Sequence, residues 1–224
     1  IHLIFLRKIK KFIAPSNFMK KVIEENSKYR PLTIYNGFYL PRFSPLTNFN
    51  RILYSGRLTD DKGVEYLIDA ASKILKEFPH TKLEIIGSGE LEEKIKKKVK
   101  YLGLSKVVTF YGHLVKEDVF KHYRNSSIVV VPSIWPDNFP TVCIEALSIG
   151  RPVIASRVGG IPEIVSHNQN GLLFEAKNIE SLSKSIISLL KNKNLTLKLS
   201  KEASMSVQKF KIEVHTNKLL DLYS

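Results

Sequence analysis

From Asn50 onward the sequence alternates short apolar runs with amphipathic stretches, and this alternation constrains the fold more than any other feature. Strand patterns fall at 51–55, 82–86, 107–110, 128–131, 152–155 and 172–174. Helical patterns fall between them at 64–77, 90–102, 116–124, 140–149, 161–166 and 179–191. The run Ile128-Val129-Val130-Val131 is apolar at every position, as a parallel strand covered on both faces must be. Short strands separated by helices predict parallel βαβ units with right-handed crossovers. The expected architecture is therefore a doubly wound α/β sheet, which takes its ligands at the carboxyl ends of its strands. A further helical pattern runs over 203–222, with Val207, Phe210, Val214, Leu219 and Leu222 at helical spacing.

Composition excludes several classes of protein. A single cysteine, Cys143, rules out a disulfide framework and a Cys-rich zinc module; flanked by Val142 and Ile144, it reads as a small core residue. No apolar run approaches the ~20 residues needed to span a membrane. The sequence shows no signal peptide, so the expected location is cytoplasmic. The formal charge of +14 suits an anionic ligand, an anionic surface or nucleic acid. One lysine run, Lys94 to Lys100, fits a solvated helix face, with Ile95, Val99 and Leu102 turned inward. A second basic run, Arg7, Lys8, Lys10 and Lys11, is mixed with Ile4, Phe5, Leu6 and Phe12 and suggests peripheral contact with the inner face of a membrane. No RNP-type strand, zinc-finger spacing or basic heptad region supports a nucleic-acid partner. No H-E-x-x-H or paired His/Cys spacing supports a metal site.

Chemistry concentrates in the turns that follow the strands. Gly56-Arg57-Leu58-Thr59-Asp60-Asp61-Lys62-Gly63 sets two cations and two glycines between a strand and a helix N-terminus, where free N–H groups and the helix dipole favour an anion. It is not a Walker A loop, because no G-K-[ST] follows its glycines. Gly87-Ser88-Gly89 follows the next strand, but Glu92 stands where a dinucleotide fingerprint needs its third glycine. Gly112 and His113 follow another strand, the glycine permitting close approach of the backbone to a flat ring. After 128–131 comes Pro132-Ser-Ile-Trp-Pro-Asp137-Asn138-Phe139-Pro140-Thr141-Val142, whose prolines cannot continue a strand. Pro140 suits the first helical position and Gly150 the position just past the helix end. Asp137 and Glu145 stand eight positions apart across this loop-to-helix junction, with Glu145 about one turn inside.

These residues resemble the C-terminal, donor-binding half of retaining glycosyltransferases of the GT4 type, which have the two-domain GT-B fold. The resemblance rests on Gly56-Arg57-Leu58 with Lys62-Gly63, on Glu145-Ala146, on Gly150-Arg151-Pro152-Val153-Ile154-Ala155 and on Gly159-Gly160-Ile161-Pro162-Glu163. The sequence departs from the family pattern twice. Asp137 replaces the first glutamate of a Glu-x7-Glu motif, and Pro140 replaces a glycine. Both departures bear on the sugar side of the expected site.

The resemblance implies a Rossmann-like donor domain at about 43–200, preceded by the tail of an acceptor domain and a linker at 1–42. It also implies a terminal helix within 201–224 that crosses back toward the other domain. It implies transfer of a sugar from a UDP- or GDP-sugar to an acceptor glycan or lipid-linked sugar, with retention and without a metal or other cofactor. Arg57, Lys62, Asp137 and Glu145 would carry the chemistry: Arg57 and Lys62 on the diphosphate, Glu145 on ribose hydroxyls and Asp137 on a sugar hydroxyl. Gly56, Gly87, Gly89, Gly112, His113, Asn138, Phe139, Thr141 and Val142 would line the donor site. The competing expectations are a non-catalytic nucleotide-sugar-binding subunit and a nucleotide-sugar epimerase of related fold. The ordered Lys-Gly and Glu-Ala motifs disfavour the epimerase.

Overall fold

The computed structural model describes residues 11–224; Arg7, Lys8 and Lys10 of the expected membrane-contact run lie outside the described residues. Residues 11–39 and 209–224 form one compact unit, and residues 40–208 form the other.

The larger unit contains six parallel strands: β3 (Arg51–Ser55), β4 (Lys82–Ile86), β5 (Val108–Gly112), β6 (Ile128–Val131), β7 (Val153–Ser156) and β8 (Gly171–Phe174). Their spatial order is β5-β4-β3-β6-β7-β8. The chain therefore builds outward from β3 in one direction and from β6 in the other. The β3/β6 boundary is the topological switch point, where a crevice opens at the strands' carboxyl ends. Strands β6, β7 and β8 are buried at every position, as helices on both faces require.

The connecting helices are α2 (Val64–Glu77), α3 (Glu92–Tyr101), α4 (Lys116–Asn125), α5 (Thr141–Ser148), α6 (Ile161–Ile164), α7 (Ile179–Lys191) and α8 (Lys193–Ser206). Ile52, Ile85, Val130, Ile154 and Leu172 of the sheet pack in one core with Leu67 and Ile68 of α2, Ile95 of α3, Ile186 of α7 and Leu199 of α8. Each fully buried aliphatic side chain of this kind stabilises the fold by about 1.5–3 kcal/mol before entropy is counted. Asn178 and Asn192 start α7 and α8 by accepting from the N–H groups of Ser181 and Leu195.

The smaller unit pairs β1 (Ile13–Ala14) with β2 (Leu32–Thr33) around α1 (Asn17–Asn26), whose N-cap Ser16 accepts from the Met19 N–H. Its last helix, α9 (Ile212–Tyr223), lies beside the 35–38 segment, with the His215 Nδ1 at 2.7 Å from the Tyr35 carbonyl. The uninterrupted helical pattern expected over 203–222 is broken. Helix α8 stops at Ser206, a 3-10 turn spans Gln208–Phe210, and α9 begins at Ile212. The reason is local pairing: the Phe38 N–H donates to Phe210 O, and the Ile212 N–H donates to Phe38 O, so the backbone at 210–212 is committed to Phe38. Pro140 also differs from expectation. It caps α5 in an extended conformation, and Thr141 is the first helical residue. Among the described residues, no helix is long and apolar enough to cross a membrane.

Arg151, in the turn between α5 and β7, is wholly buried. Its guanidinium donates to the carbonyls of Tyr123 (2.9 Å) and Arg124 (2.8 Å) at the end of α4 and to that of Ser44 (2.7 Å). A cation among the C-terminal carbonyls of α4 and α5 also offsets the negative ends of both helix dipoles. Arg151→Ala is predicted to lower stability by about 2–4 kcal/mol, because several buried carbonyls lose their donor at once. Urea denaturation would measure it, and a loss below about 0.5 kcal/mol, the scale of an ordinary surface change, would contradict this role.

Candidate functional site

Four loops at the carboxyl ends of β3, β4, β5 and β6 build the site. After β3, the buried Tyr54 hydroxyl donates to Arg57 O at 2.6 Å, tying the loop back onto its own strand. The Gly56 N–H donates to Ile86 O and the Leu58 N–H to Ser88 O, stitching this loop to the one after β4. Burial, followed by the Asp61 and Asp137 carboxylates, pushes the Tyr54 phenol well above its ordinary range, so it stays a neutral donor.

Lys62 ends a 3-10 turn over Asp60–Lys62, and Gly63 then takes a left-handed conformation with φ of 64°. A Cβ at Gly63 would run into the Pro132 carbonyl, so only glycine lets this turn press against the end of β6. The Ile134 N–H donates to Asp61 O at 2.9 Å and closes the same contact from the other side. Lys62 is thereby held across the switch point from the loop that carries Asp137.

Asp137 is fixed on three sides. Its carbonyl accepts from the Gly160 N–H at 2.7 Å, Ser133 Oγ donates to its Oδ2 at 2.8 Å, and Lys62 Nζ donates to its Oδ1 at 2.5 Å. Gly160 is required here, since a Cβ would strike the Asn138 carbonyl. Beside this pair, Asp61 lies 3.7 Å from Lys62 Nζ and 3.4 Å from Arg57 Nη2. The Thr59 hydroxyl, then Lys62 and Arg57, hold the Asp61 carboxyl below its ordinary range. Two cations and two carboxylates thus balance at the mouth of the crevice.

Two hollows open there and share Ser55 and Gly56. The first, of about 140 Å³, runs between β3 and β6 and is lined by Lys62, Ser133, Asp137, Thr141 and Val142. The second, of about 250 Å³, continues toward β4 and β5 past Arg57, Gly87, Ser88, His113 and Leu114. The α5 N-terminus points its first-turn N–H groups at the first hollow, and no side chain caps them. An anion seated beside Lys62 would find these donors without rearrangement of the helix.

Glu145 lies about one turn along α5. Burial raises its carboxyl above the ordinary range, while Lys116 and then the Tyr123 hydroxyl act to lower it. Tyr123 Oη donates to Glu145 Oε2 at 3.3 Å. Burial raises the Cys143 thiol far out of reach of ionisation, which leaves it a core residue.

The structure thus brings Gly56, Arg57, Lys62, Gly87, His113, Asp137, Thr141 and Val142 to one continuous crevice. The remaining expected residues, Gly89, Gly112, Asn138, Phe139 and Glu145, line neither hollow. Gly89 packs on the Leu58 backbone, the Gly112 carbonyl accepts from the Gly87 N–H at 2.7 Å, Asn138 meets Gly160, and Phe139 is buried. Ser55, Ser133, Tyr123 and Lys116 were not anticipated. The two serines were legible in principle, as polar residues at or just past the carboxyl ends of β3 and β6. Tyr123 and Lys116 lie on a helix surface that only the fold brings to Glu145. Among the described residues, no group of three or more His, Cys, Asp or Glu could hold a metal ion.

A crevice at the switch point of a doubly wound sheet, with two cations and an uncapped helix N-terminus beside it, is where α/β domains of this architecture take their ligands. The comparisons say which kind of domain this is. The sequence profile of the family described as Glycosyl transferases group 1 matches residues 41–205, and the chain belongs to that family. An uncharacterized glycosyltransferase of Methanocaldococcus jannaschii is 34% identical over 203 residues, which is 91% of this chain and 56% of that protein. Among solved structures, Anabaena HepE in complex with UDP superposes with a TM-score of 0.88 at 22% identity, covering 97% of this chain and 64% of that one. A mutant of TarM from S. aureus, in complex with fondaparinux, alpha-GlcNAc-glycerol and UDP, gives a TM-score of 0.88 at 24% identity, covering 97% and 44%. These likenesses show that the chain has the fold of part of those GT-B glycosyltransferase structures. The chain spans about half the length of the curated relatives it matches.

The Lys62–Asp137 pair leads to a direct expectation. Any phosphate that engages Lys62 competes for its charge with a carboxylate already bound to it. Asp137→Asn keeps a partner for Ser133 but removes the competing charge, so the affinity for a nucleoside diphosphate should rise about three- to tenfold, or about 0.7–1.4 kcal/mol. Calorimetric titration with UDP and GDP would show it, and an unchanged or weaker affinity would mean that the two anions do not compete.

Proposed function

We propose that this chain is the donor-binding part of a retaining glycosyltransferase that uses a UDP- or GDP-sugar and passes the sugar to an acceptor glycan or lipid-linked sugar. The observation that carries this reading is the convergence of Lys62 and the uncapped α5 N-terminus on one hollow at the switch point, with Arg57 lining the adjoining hollow. The UDP held by the two structural neighbours supports the same ligand class. The smaller unit, in this reading, belongs with an acceptor-binding domain.

The chemistry follows from charge. Breaking the bond between the sugar and the diphosphate leaves negative charge on the departing phosphate. Preorganised cations and N–H donors stabilise that charge more in the transition state than in the ground state. Lys62 lies in the hollow itself, and Arg57 guards its mouth from an exposed position. The N–H groups of Thr141 and Val142 add a fixed dipole. With two cations and a helix end present, the reaction needs no divalent ion to neutralise the leaving group. Asp137, once released by Lys62, is free to accept from a sugar hydroxyl. Glu145, partly buried, accepts from ribose hydroxyls. The second hollow, past Gly87, His113 and Leu114, is left for the base.

Two measurements test this reading. In the presence of EDTA, UDP or GDP should bind at least about tenfold more tightly than the corresponding monophosphate, since the second phosphate gains charge-assisted bonds of about 1.5–3 kcal/mol each. Equal affinity for mono- and diphosphate would contradict it. Glu145→Ala should weaken the same diphosphate by about 1–3 kcal/mol, and native affinity in that variant would remove Glu145 from the site.

A further inference from the structure

We infer that Tyr123, a residue with no place of its own in the crevice, is the positioning residue that holds Glu145 in the orientation needed to receive a ribose diol. The inference rests on the donor-site reading above and extends it to the helix behind the site.

Tyr123 stands in the last half of α4, fully buried, and is among the largest side chains sealed in the protein. A phenol taken out of water needs hydrogen-bond partners; here it donates to the Glu145 carboxylate, Oη to Oε2 at 3.3 Å, and also bonds the Ser55 hydroxyl. The bond runs from the core outward. Tyr123 is held in place: it is fully buried, its ring packs edge-on against Phe120 at 5.6 Å, and its own carbonyl accepts from Arg151 Nε at 2.9 Å. Glu145, by contrast, is only partly buried and would otherwise sample several rotamers. One rigid donor on Oε2 removes that freedom and leaves the rest of the carboxylate's lone pairs for a ligand.

The neighbours of Glu145 agree with this assignment. The groups that bear on its ionisation are the Tyr123 hydroxyl and Lys116, both from α4, and both favour the charged form against the cost of burial. A carboxylate must be charged to accept from two neutral hydroxyls together. The same hydroxyl therefore orients Glu145 and favours its accepting state. Tyr123 touches no ligand in this account and acts only through Glu145.

Tyr123→Phe removes one oxygen and keeps the packing, so it is the variant of choice. UDP and GDP are titrated into the native chain, and the one that binds is carried forward with its 3′-deoxy analogue. The native chain should prefer the ribose form, and Tyr123→Phe should lose about three- to tenfold in affinity for that form while the deoxy form changes little. The pH at which ribose-form binding fades on acidification should move upward in Tyr123→Phe, because the donor that favours the charged carboxylate is gone. In a Glu145→Ala background the Tyr123→Phe change should have no further effect on affinity, which a merely structural role would not reproduce. Undiminished preference for the ribose form in Tyr123→Phe, or an equal loss with and without Glu145, overturns the inference and leaves the donor site standing. A native chain that binds neither UDP nor GDP overturns the donor-site reading and this inference with it.

Discussion

The ion pair between Lys62 and Asp137 is the contact on which the rest of the site depends. It joins a loop after β3 to a loop after β6 across the one place where the sheet changes its direction of growth. Half of the pair is placed by Gly63, which lets the Lys62 turn press against Pro132, and the other half by Gly160, which takes the Asp137 carbonyl. Both side chains keep about a fifth of their surface exposed, 22% for Lys62 and 23% for Asp137. A pair of that kind contributes little net stability, because water competes for each partner. Its consequence lies elsewhere. It holds a cation at the mouth of the crevice without leaving it unsatisfied, and in the proposed reading another anion takes its partner's place.

In the proposed reading the surrounding parts favour that exchange for a phosphate. The Asp61 carboxylate sits near both Lys62 and Arg57, so the cations are already oriented before a ligand arrives. The α5 N-terminus supplies donors that Asp137 does not use. Behind it, Glu145 is steadied by Tyr123, and Tyr123 in turn by Arg151, whose guanidinium also reaches Ser44. A chain of contacts therefore runs from a fully buried arginine to the carboxylate assigned to the ribose. In this chain Gly63 and Gly160 act as spacers that let these loops touch.

Much of the fold was legible because parallel strands and capped helices leave strong marks. Strands at 51–55, 82–86 and 128–131 and helices at 64–77 and 179–191 coincide with the patterns read from the sequence. The helix break at 207–211 was not legible, since nothing in that stretch announces that Phe38 will claim its backbone. Helix α8 escaped notice although Asn192, Leu195 and Leu199 carry a cap and helical spacing. Within the site, the residue types and their strand-end positions were readable, but their pairing was not. Asp137 looked like a sugar contact and Lys62 like a phosphate contact, seventy-five positions apart, and only the fold shows them bound to each other. Glu84 offers the same lesson outside the site. It is a carboxylate buried in the middle of β4, made tolerable by Arg51 at 2.6 Å and His122 at 2.7 Å, neither near it in sequence.

The central claim is that a diphosphate takes the place of Asp137 on Lys62 at the β3/β6 switch point. A crystal structure of the chain with bound UDP or GDP tests it most directly. The account predicts phosphate oxygens within hydrogen-bond distance of Lys62 Nζ and of the Thr141 and Val142 N–H groups, with the Asp137 carboxylate moved off Lys62. A diphosphate bound elsewhere, with Lys62 still paired to Asp137, would contradict it.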